Sequence, residues 1–167
     1  MTKYCGKESN GFEGFSDDIR YLAPDVGAAK INMGEDWATP GWWDFAELHN
    51  QCCWVWTDDY KGSSVAGYIV YKAKNDSDKG KKYISGMQLL AAYSLDDIHI
   101  FLPVGGFVRD KENCWIGVYG YYWTSMREES TAKASVVFFN KDDVYGRGDK
   151  TADRYIGCSV RAIQVKK

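Results

Sequence analysis

Histidine is scarce in this chain of 167 residues: His49 and His99 are all it has. The five cysteines, at positions 5, 52, 53, 114 and 158, form no C-x-x-C pair and stand at no ligand spacing from either histidine, so no zinc pattern exists. Their odd number and irregular spacing also speak against a disulfide framework. Free buried thiols are expected, with adjacent Cys52 and Cys53 on opposite faces of a strand and one of them in the core. No apolar run approaches the roughly 18 residues of a membrane-spanning helix. The opening Met1-Thr2-Lys3-Tyr4-Cys5-Gly6 lacks the apolar stretch of an export signal. A soluble chain without membrane insertion is expected, whose signal or anchor, if it works outside a cell, belongs to a larger parent. No dense basic run is interleaved with aromatics, so nucleic acid is not an expected partner. No glycine-rich phosphate loop follows a strand and opens a helix, and there is no internal repeat or low-complexity tract.

Aromatic residues, by contrast, are abundant: 16% of the chain, with 7 Trp and 12 Tyr. Most such rings belong in a core, but Tyr and Trp are also the types that recognition surfaces favour. The length fits one domain, 1–167, with a core of its own. Net charge is only −2 but uneven. Residues 1–60 carry 4 Lys and Arg against 11 Asp and Glu (−7), and residues 61–167 carry 17 against 12 (+5). The surface is polarised along the chain.

Residues 1–24 are rich in Gly and Asp and read as an irregular lead-in. A short helix is expected after Asp25 as N-cap, through Ile31-Asn32-Met33, with Gly34 as its stop. A second helix is expected over 40–50. Gly41 caps it with Asp44 three residues on, Trp42, Phe45, Leu48 and His49 form the inward stripe, and Trp43, Glu47 and Asn50 face away. From Cys52 the period becomes two. Strands are expected over 53–57, 67–73 and 98–102, the last ended by Pro103 and Gly105-Gly106. Residues 74–97 read as an insertion: 74–83 as a solvated charged loop, 84–93 as either a short helix or an irregular excursion. Two helices followed by six or so strands indicate an α+β fold with an antiparallel sheet.

The last third reads as three strands that frame two polar loops. The strands are 120–125, 134–139 and 156–163, with Trp123, Val137, Phe139, Cys158 and Val160 assigned to the core and Arg161 to structure. The first loop offers Arg127, Glu128, Glu129, Ser130 and Lys133. The second, 141–155, is long for a hairpin connection yet not disordered in composition, and offers Asp142, Asp143, Tyr145, Arg147, Asp149, Asp153 and Tyr155. Tyr and Arg are hot-spot types, so these residues are the candidate ligand-binding set, bordered by Trp115 and Tyr119. Cys158, alternating with Ile156 and Val160, reads as core and not as a nucleophile. His99, with Asp96 and Asp97 as neighbours, reads as a core or edge histidine, and nothing recruits His49 to catalysis. No catalytic residue, metal ligand or cofactor is assigned.

Five landmarks occur in one order: Asp25-Val26-Gly27-Ala28-Ala29; Trp37-Ala38-Thr39-Pro40 before the Phe45-Ala46-Glu47-Leu48 helix; Cys53-Trp54-Val55-Trp56; His99-Ile100-Phe101-Leu102-Pro103-Val104-Gly105-Gly106-Phe107; and Gly120-Tyr121-Tyr122-Trp123-Thr124-Ser125 closing with Gly157-Cys158-Ser159-Val160-Arg161. Together they resemble the Fibrobacter succinogenes major paralogous domain, a module of gut Bacteroidetes within the C-type-lectin-like and formylglycine-generating-enzyme-like group. Ala38 and Gly41 depart from the W-R-x-P-T that the family reads there. The resemblance implies two helices beside a small antiparallel sheet with long loops, chain ends close together, and one ligand-facing surface in the C-terminal third. In relatives diversified by retroelements that third carries the varied codons. The paired active-site cysteines of formylglycine-generating relatives are missing, as are the Glu-Pro-Asn, Gln-Pro-Asp and Trp-Asn-Asp triplets of calcium-dependent lectins. The expectation is a non-enzymatic domain that binds a protein or glycan ligand at a cell surface. Its parent would be a surface or secreted adhesin or a phage receptor-binding protein, open to retroelement variation. The alternatives are an enzyme on the formylglycine-generating-like scaffold and a structural module of a surface assembly.

Overall fold

The helical period gives way to the strand period without a linker, because α2 (Trp42–Gln51) runs directly into β2 (Cys52–Thr57). The computed structural model describes residues 27–87, 93–127 and 133–165, with the backbone alone at 127 and 146–149. Over those residues it is an α+β fold of mostly strands: two short helices and several antiparallel sheets. The candidate N-cap Asp25 and the lead-in lie outside the described residues.

α1 (Ala28–Met33) follows Gly27 and stops at Gly34, whose φ of 98° fits glycine and whose N–H donates to the Lys30 carbonyl at 2.9 Å. The start of α2 is closed by its own third residue, since the Gly41 N–H donates to Asp44 Oδ2 at 2.7 Å. The inward stripe is Phe45 and His49, buried, with Leu48 packed against the core. Trp42, expected in that stripe, is exposed. Pro40, fully buried just ahead of the cap, already occupies the inner position there. Trp54 Nε1 donates to the Leu48 carbonyl at 2.9 Å and ties the end of the helix to the sheet it precedes.

The first sheet has the order β4-β2-β3-β5, with β3 Gly67–Lys72, β4 Lys82–Tyr83 and β5 His99–Pro103. β4 pairs parallel to β2. It comes from the stretch read as a solvated loop, where Asp78 and Tyr83 are in fact buried. The chain returns through Tyr93, whose hydroxyl donates to Asp78 Oδ2 (3.0 Å) and accepts the Lys74 N–H (2.9 Å). Its ring stacks on Tyr71 at 4.8 Å. An apolar ring above and a buried carboxylate below hold this segment down. Residues 84–87 are irregular, and the rest of the helix-or-excursion alternative lies outside the described residues.

The C-terminal third builds a second sheet of order β10-β9-β8, from β8 Gly120–Arg127, β9 Lys133–Phe139 and β10 Val144–Asp153. The long 141–155 connection is therefore corrected: only 140–143 turns, and β10 runs on through a register shift between Tyr145 and Lys150. Glycines 146 and 148 hide a bulged strand behind the composition of a loop. The parity of β8 is also corrected. Tyr122 is buried and donates its hydroxyl to the Pro103 carbonyl at 2.9 Å, while Trp123 is half-buried on the opposite face.

The expected last strand is broken into β11 (Gly157–Cys158) and β12 (Ile163–Gln164), and Val160 and Cys158 are half-buried. β11 joins β6 (Phe107–Arg109) and β7 (Glu112–Cys114) in a third sheet, and β12 pairs with β1 (Trp37–Ala38), bringing the ends of the described chain together. The main core lies between α2, the β2-β3-β5 face and the inner face of β8-β9-β10. Trp54, Tyr68, Tyr122, Val137 and Phe139 fill it. Cys53 is fully buried in a smaller cluster on the other face of the first sheet, and Cys52, Cys53, Cys114 and Cys158 are all free thiols.

Candidate functional site: an aromatic face on the C-terminal sheet

Strand alternation sends Tyr122, Phe139 and Val144 into the core, so their neighbours Tyr121, Phe138 and Tyr145 must stand on the outer face. Register then aligns these three as one row across three strands, since Tyr121 and Tyr145 are both cross-strand partners of Phe138. The rings stack along the row at 5.3 Å and 5.1 Å, with planes 12° and 22° apart. The row continues at its β8 end through Tyr119, 6.0 Å from Tyr121, to Trp115, 5.6 Å from Tyr119. Phe107 packs edge-on to Tyr121 at 5.1 Å, and the Arg109 guanidinium lies 5.4 Å from the Phe107 ring.

Trp115 is the most exposed ring of the array, at 58%, and the least relaxed in backbone, with φ of 60°. Its carbonyl accepts the N–H groups of Val118 and Tyr119, both at 3.0 Å, which fixes the 115–119 loop. Gly106 makes this close approach possible: a Cβ there would meet the Cys114 carbonyl oxygen at 2.1 Å, and its φ is +63°. Ile116 and Val118 are exposed close to the tryptophan in sequence, so this end of the aromatic row is edged by apolar surface. Arg109 brings a positive charge to this region. It acts electrostatically on Tyr121 and on Tyr155, opposing the upward push that burial gives both phenols. The Tyr121 phenol is raised by burial first, then by Tyr119 and Cys158; that of Tyr155 by burial first, then by Asp153.

The twelve candidate residues do not form one group. Asp142, Asp143 and Tyr145 lie at the turn between β9 and β10, beside the aromatic row. Tyr145 is 37% exposed and belongs to the row itself. Asp142 and Asp143 are turn-formers as well as exposed acids. Their N–H groups both donate to Asn140 Oδ1 at 2.9 Å, and Asp143 Oδ1 accepts the Val144 N–H. Lys133 and Asp153 are cross-strand partners at the opposite end of the hairpin, with Arg127 beside Ala134. Five residues of extended β9 separate Lys133 from Phe138, roughly 17 Å. Arg127, Arg147 and Asp149 are placed by backbone alone, and Glu128, Glu129 and Ser130 lie outside the described residues. Sequence reasoning missed Tyr121, Phe138, Phe107 and Arg109. The signal lay in strand parity: Tyr121 and Phe138 flank the core residues Tyr122 and Phe139.

The residues weighed for catalysis are held otherwise. Burial alone pushes the Cys158 thiol up to about 12, so at neutral pH it is a protonated thiol and not a nucleophilic thiolate. His99 Nδ1 donates to the Asp97 carbonyl at 2.7 Å, and Nε2 is hydrogen-bonded with the Tyr60 hydroxyl at 3.0 Å. The Asp97 carboxylate pairs with Lys74 at 2.8 Å and does not orient the imidazole. His49 is buried on α2, its Nδ1 3.3 Å from Asn50 Oδ1. Among the described residues no three His, Cys, Asp or Glu side chains are placed to hold a metal ion, and no helix is long and apolar enough to cross a membrane. Compared with known proteins, the chain matches no family model, no curated protein and no solved structure.

Proposed function

We propose that this chain is a non-enzymatic binding domain that takes a protein or glycan ligand on a cell surface through the aromatic face at the Gly120–Phe139–Val144 end of its C-terminal sheet. The observation that carries this reading is Trp115: a largely exposed indole held at φ of 60° by a doubly bonded carbonyl. An exposed tryptophan in a strained backbone is a cost to a domain that uses it for nothing, and such strain collects at functional sites. Tyr119, Tyr121, Tyr145 and Arg109 surround it with the residue types that dominate binding energy.

The fold reading that goes with this is a C-type-lectin-like domain of the Fibrobacter succinogenes major paralogous kind. Two short helices beside antiparallel sheet and the β1–β12 pairing of the chain ends support it. The parent would be a surface or secreted adhesin or a phage receptor-binding protein. Its ligand-facing third would be open to retroelement variation, with a near-copy of codons for about 118–161 beside a reverse transcriptase as the genomic mark.

The test is a glycan and host-protein array probed with the parent domain and with Trp115→Ala and Tyr145→Ala. Loss of the same ligand by both variants, with unchanged melting, supports the reading. Equal binding by all three sinks the site assignment, and no binding by any of them favours a structural module with no ligand of its own.

A further inference from the structure

The main core opens at one end. Where α2 finishes, the space between it, the β2-β3-β5 face and the 161–163 segment is a groove of about 690 Å³. That volume lies in the range of small-molecule sites. Its floor is apolar, with Phe45 and Leu48 from α2, Cys52 and Ile100 from the sheet, and Ile163 from the C-terminal side. The charges around this floor are sorted by wall. α2 contributes only acids, Asp44 and Glu47, and the facing walls contribute only cations, Lys72, Lys79 and Arg161.

Two of these five are already engaged, Asp44 by the Gly41 N–H and Lys79 by Asp76 at 2.7 Å. Lys72 shares a sheet face with Cys52, its cross-strand partner, so it leans toward the groove. The ion pairs among the described residues are Lys74–Asp97 and Lys79–Asp76, so no pair spans the gap between Glu47 and Lys72 or Arg161. Opposite charges therefore face one another over an apolar floor without closing on each other.

We infer that this groove binds short apolar peptides with free termini, the α-amino group toward Glu47 and the α-carboxylate toward Lys72 and Arg161. A fatty carboxylate would leave Glu47 without a counter-charge, and a cationic amphiphile would do the same to Lys72 and Arg161. A zwitterion with apolar side chains matches floor and both walls. This second site is separate from the aromatic face and stands or falls without it.

The experiment is a titration of the full chain, followed by amide chemical shifts, with Leu-Leu, N-acetyl-Leu-Leu, Leu-Leu amide and the doubly blocked N-acetyl-Leu-Leu amide. Free Leu-Leu is expected to move the amides of Gln51, Lys72 and Ala162. Blocking either end should weaken binding about threefold and blocking both about tenfold, the scale of exposed charge pairs. Glu47 and Arg161 are exposed, so Glu47→Gln and Arg161→Gln leave the fold intact. Glu47→Gln should weaken free Leu-Leu about threefold and leave the N-acetyl form unchanged, and Arg161→Gln should do the same with the amide form. Equal binding of all four ligands, shifts confined to the aromatic face, or no shifts at all would each overturn the proposal.

Discussion

Tyr121 and Phe138 stack across β8 and β9 with their planes 12° apart, directly beside Tyr122 and Phe139, which stack at 5.7 Å and 19° on the opposite face. The same two strands thus carry two aromatic pairs, one sealed in the core and one on the surface proposed to bind. The pairs should separate stability from recognition. Phe139→Ala empties a fully buried position and is expected to cost about 3–5 kcal/mol in urea unfolding. Phe138→Ala, half-buried, should cost no more than about 1.5 kcal/mol. Its larger effect should fall on ligand capture, and equal destabilisation by the two would refute the face assignment.

Gly106 is expected to be irreplaceable even by alanine. Its positive φ alone is a conformation worth about 1–3 kcal/mol against a residue with a side chain. The added Cβ would also press on the Cys114 carbonyl oxygen and the Ile116 nitrogen, both backbone atoms that cannot swing aside. Gly106→Ala should lower the melting temperature and change the Trp115 environment, read as near-ultraviolet dichroism. Gly34→Ala, with open space around its Cβ, should leave that dichroism unchanged.

How much of this could be read in the sequence depends on the distance over which each feature is encoded. The helix at 42–51 and the strands from Cys52, Gly67 and His99 were legible, because period and caps are local signals: Gly41 with Asp44, and Gly34 as a stop. The C-terminal face was not. Choosing Tyr121 or Tyr122 as the inward residue is a choice of parity that adjacent tyrosines leave open. Gly146 and Gly148 made a bulged strand look like a loop. Arg109 and Phe107 meet the row only because distant segments pair, β6 with β11, whereas Trp115 reaches it through Tyr119, four residues on, and the sequence marks both as its border. Local pattern therefore put the two loops together, and register set them at opposite ends of a hairpin.

Stability should fall on the alkaline side. The Cys158 thiol is raised from 9.0 to about 12 and the Cys53 thiol to about 11, both by burial first. Below pH 9 each is protonated whether the chain is folded or unfolded, and its contribution to stability is complete. From pH 9 upward the unfolded chain ionises first, and the contribution drains away until the folded thiols titrate, near 11 and 12. Urea midpoints should be flat from pH 7 to 8 and decline above 9. Cys158→Ala should make that decline shallower. An unchanged slope in the variant would show that Cys158 is not a source of it.

The anchoring of the segment around Asp78 and Tyr93 should depend on a buried carboxylate. Asp78 accepts from Tyr93 at 3.0 Å and from Asn75 Nδ2 at 3.3 Å. Tyr93→Phe removes one hydrogen bond and should cost about 1 kcal/mol, while Asp78→Ala strands two donors and should cost about 2–3 kcal/mol. Limited proteolysis should cut Asp78→Ala within this segment first and spare Tyr93→Phe, whose ring still stacks on Tyr71.

The two ends of the β9–β10 hairpin give the sharpest division of the candidate residues. Lys133 and Asp153 are cross-strand partners, exposed and half-buried, some five residues from the aromatic row. Tyr145 lies in the row, with Asp142 and Asp143 in the turn beside it. If the row is the contact surface, Lys133→Ala with Asp153→Ala should change ligand affinity less than about twofold. Tyr145→Ala should lower it at least tenfold, as truncation of an aromatic anchor does. Asp142→Ala, at the rim, should act chiefly on the association rate and its salt dependence. A surface at the other end would invert this order, with the Lys133 and Asp153 pair carrying the loss and Tyr145 neutral. Surface plasmon resonance on the three variants, with thermal melting to show each remains folded, distinguishes the two orders.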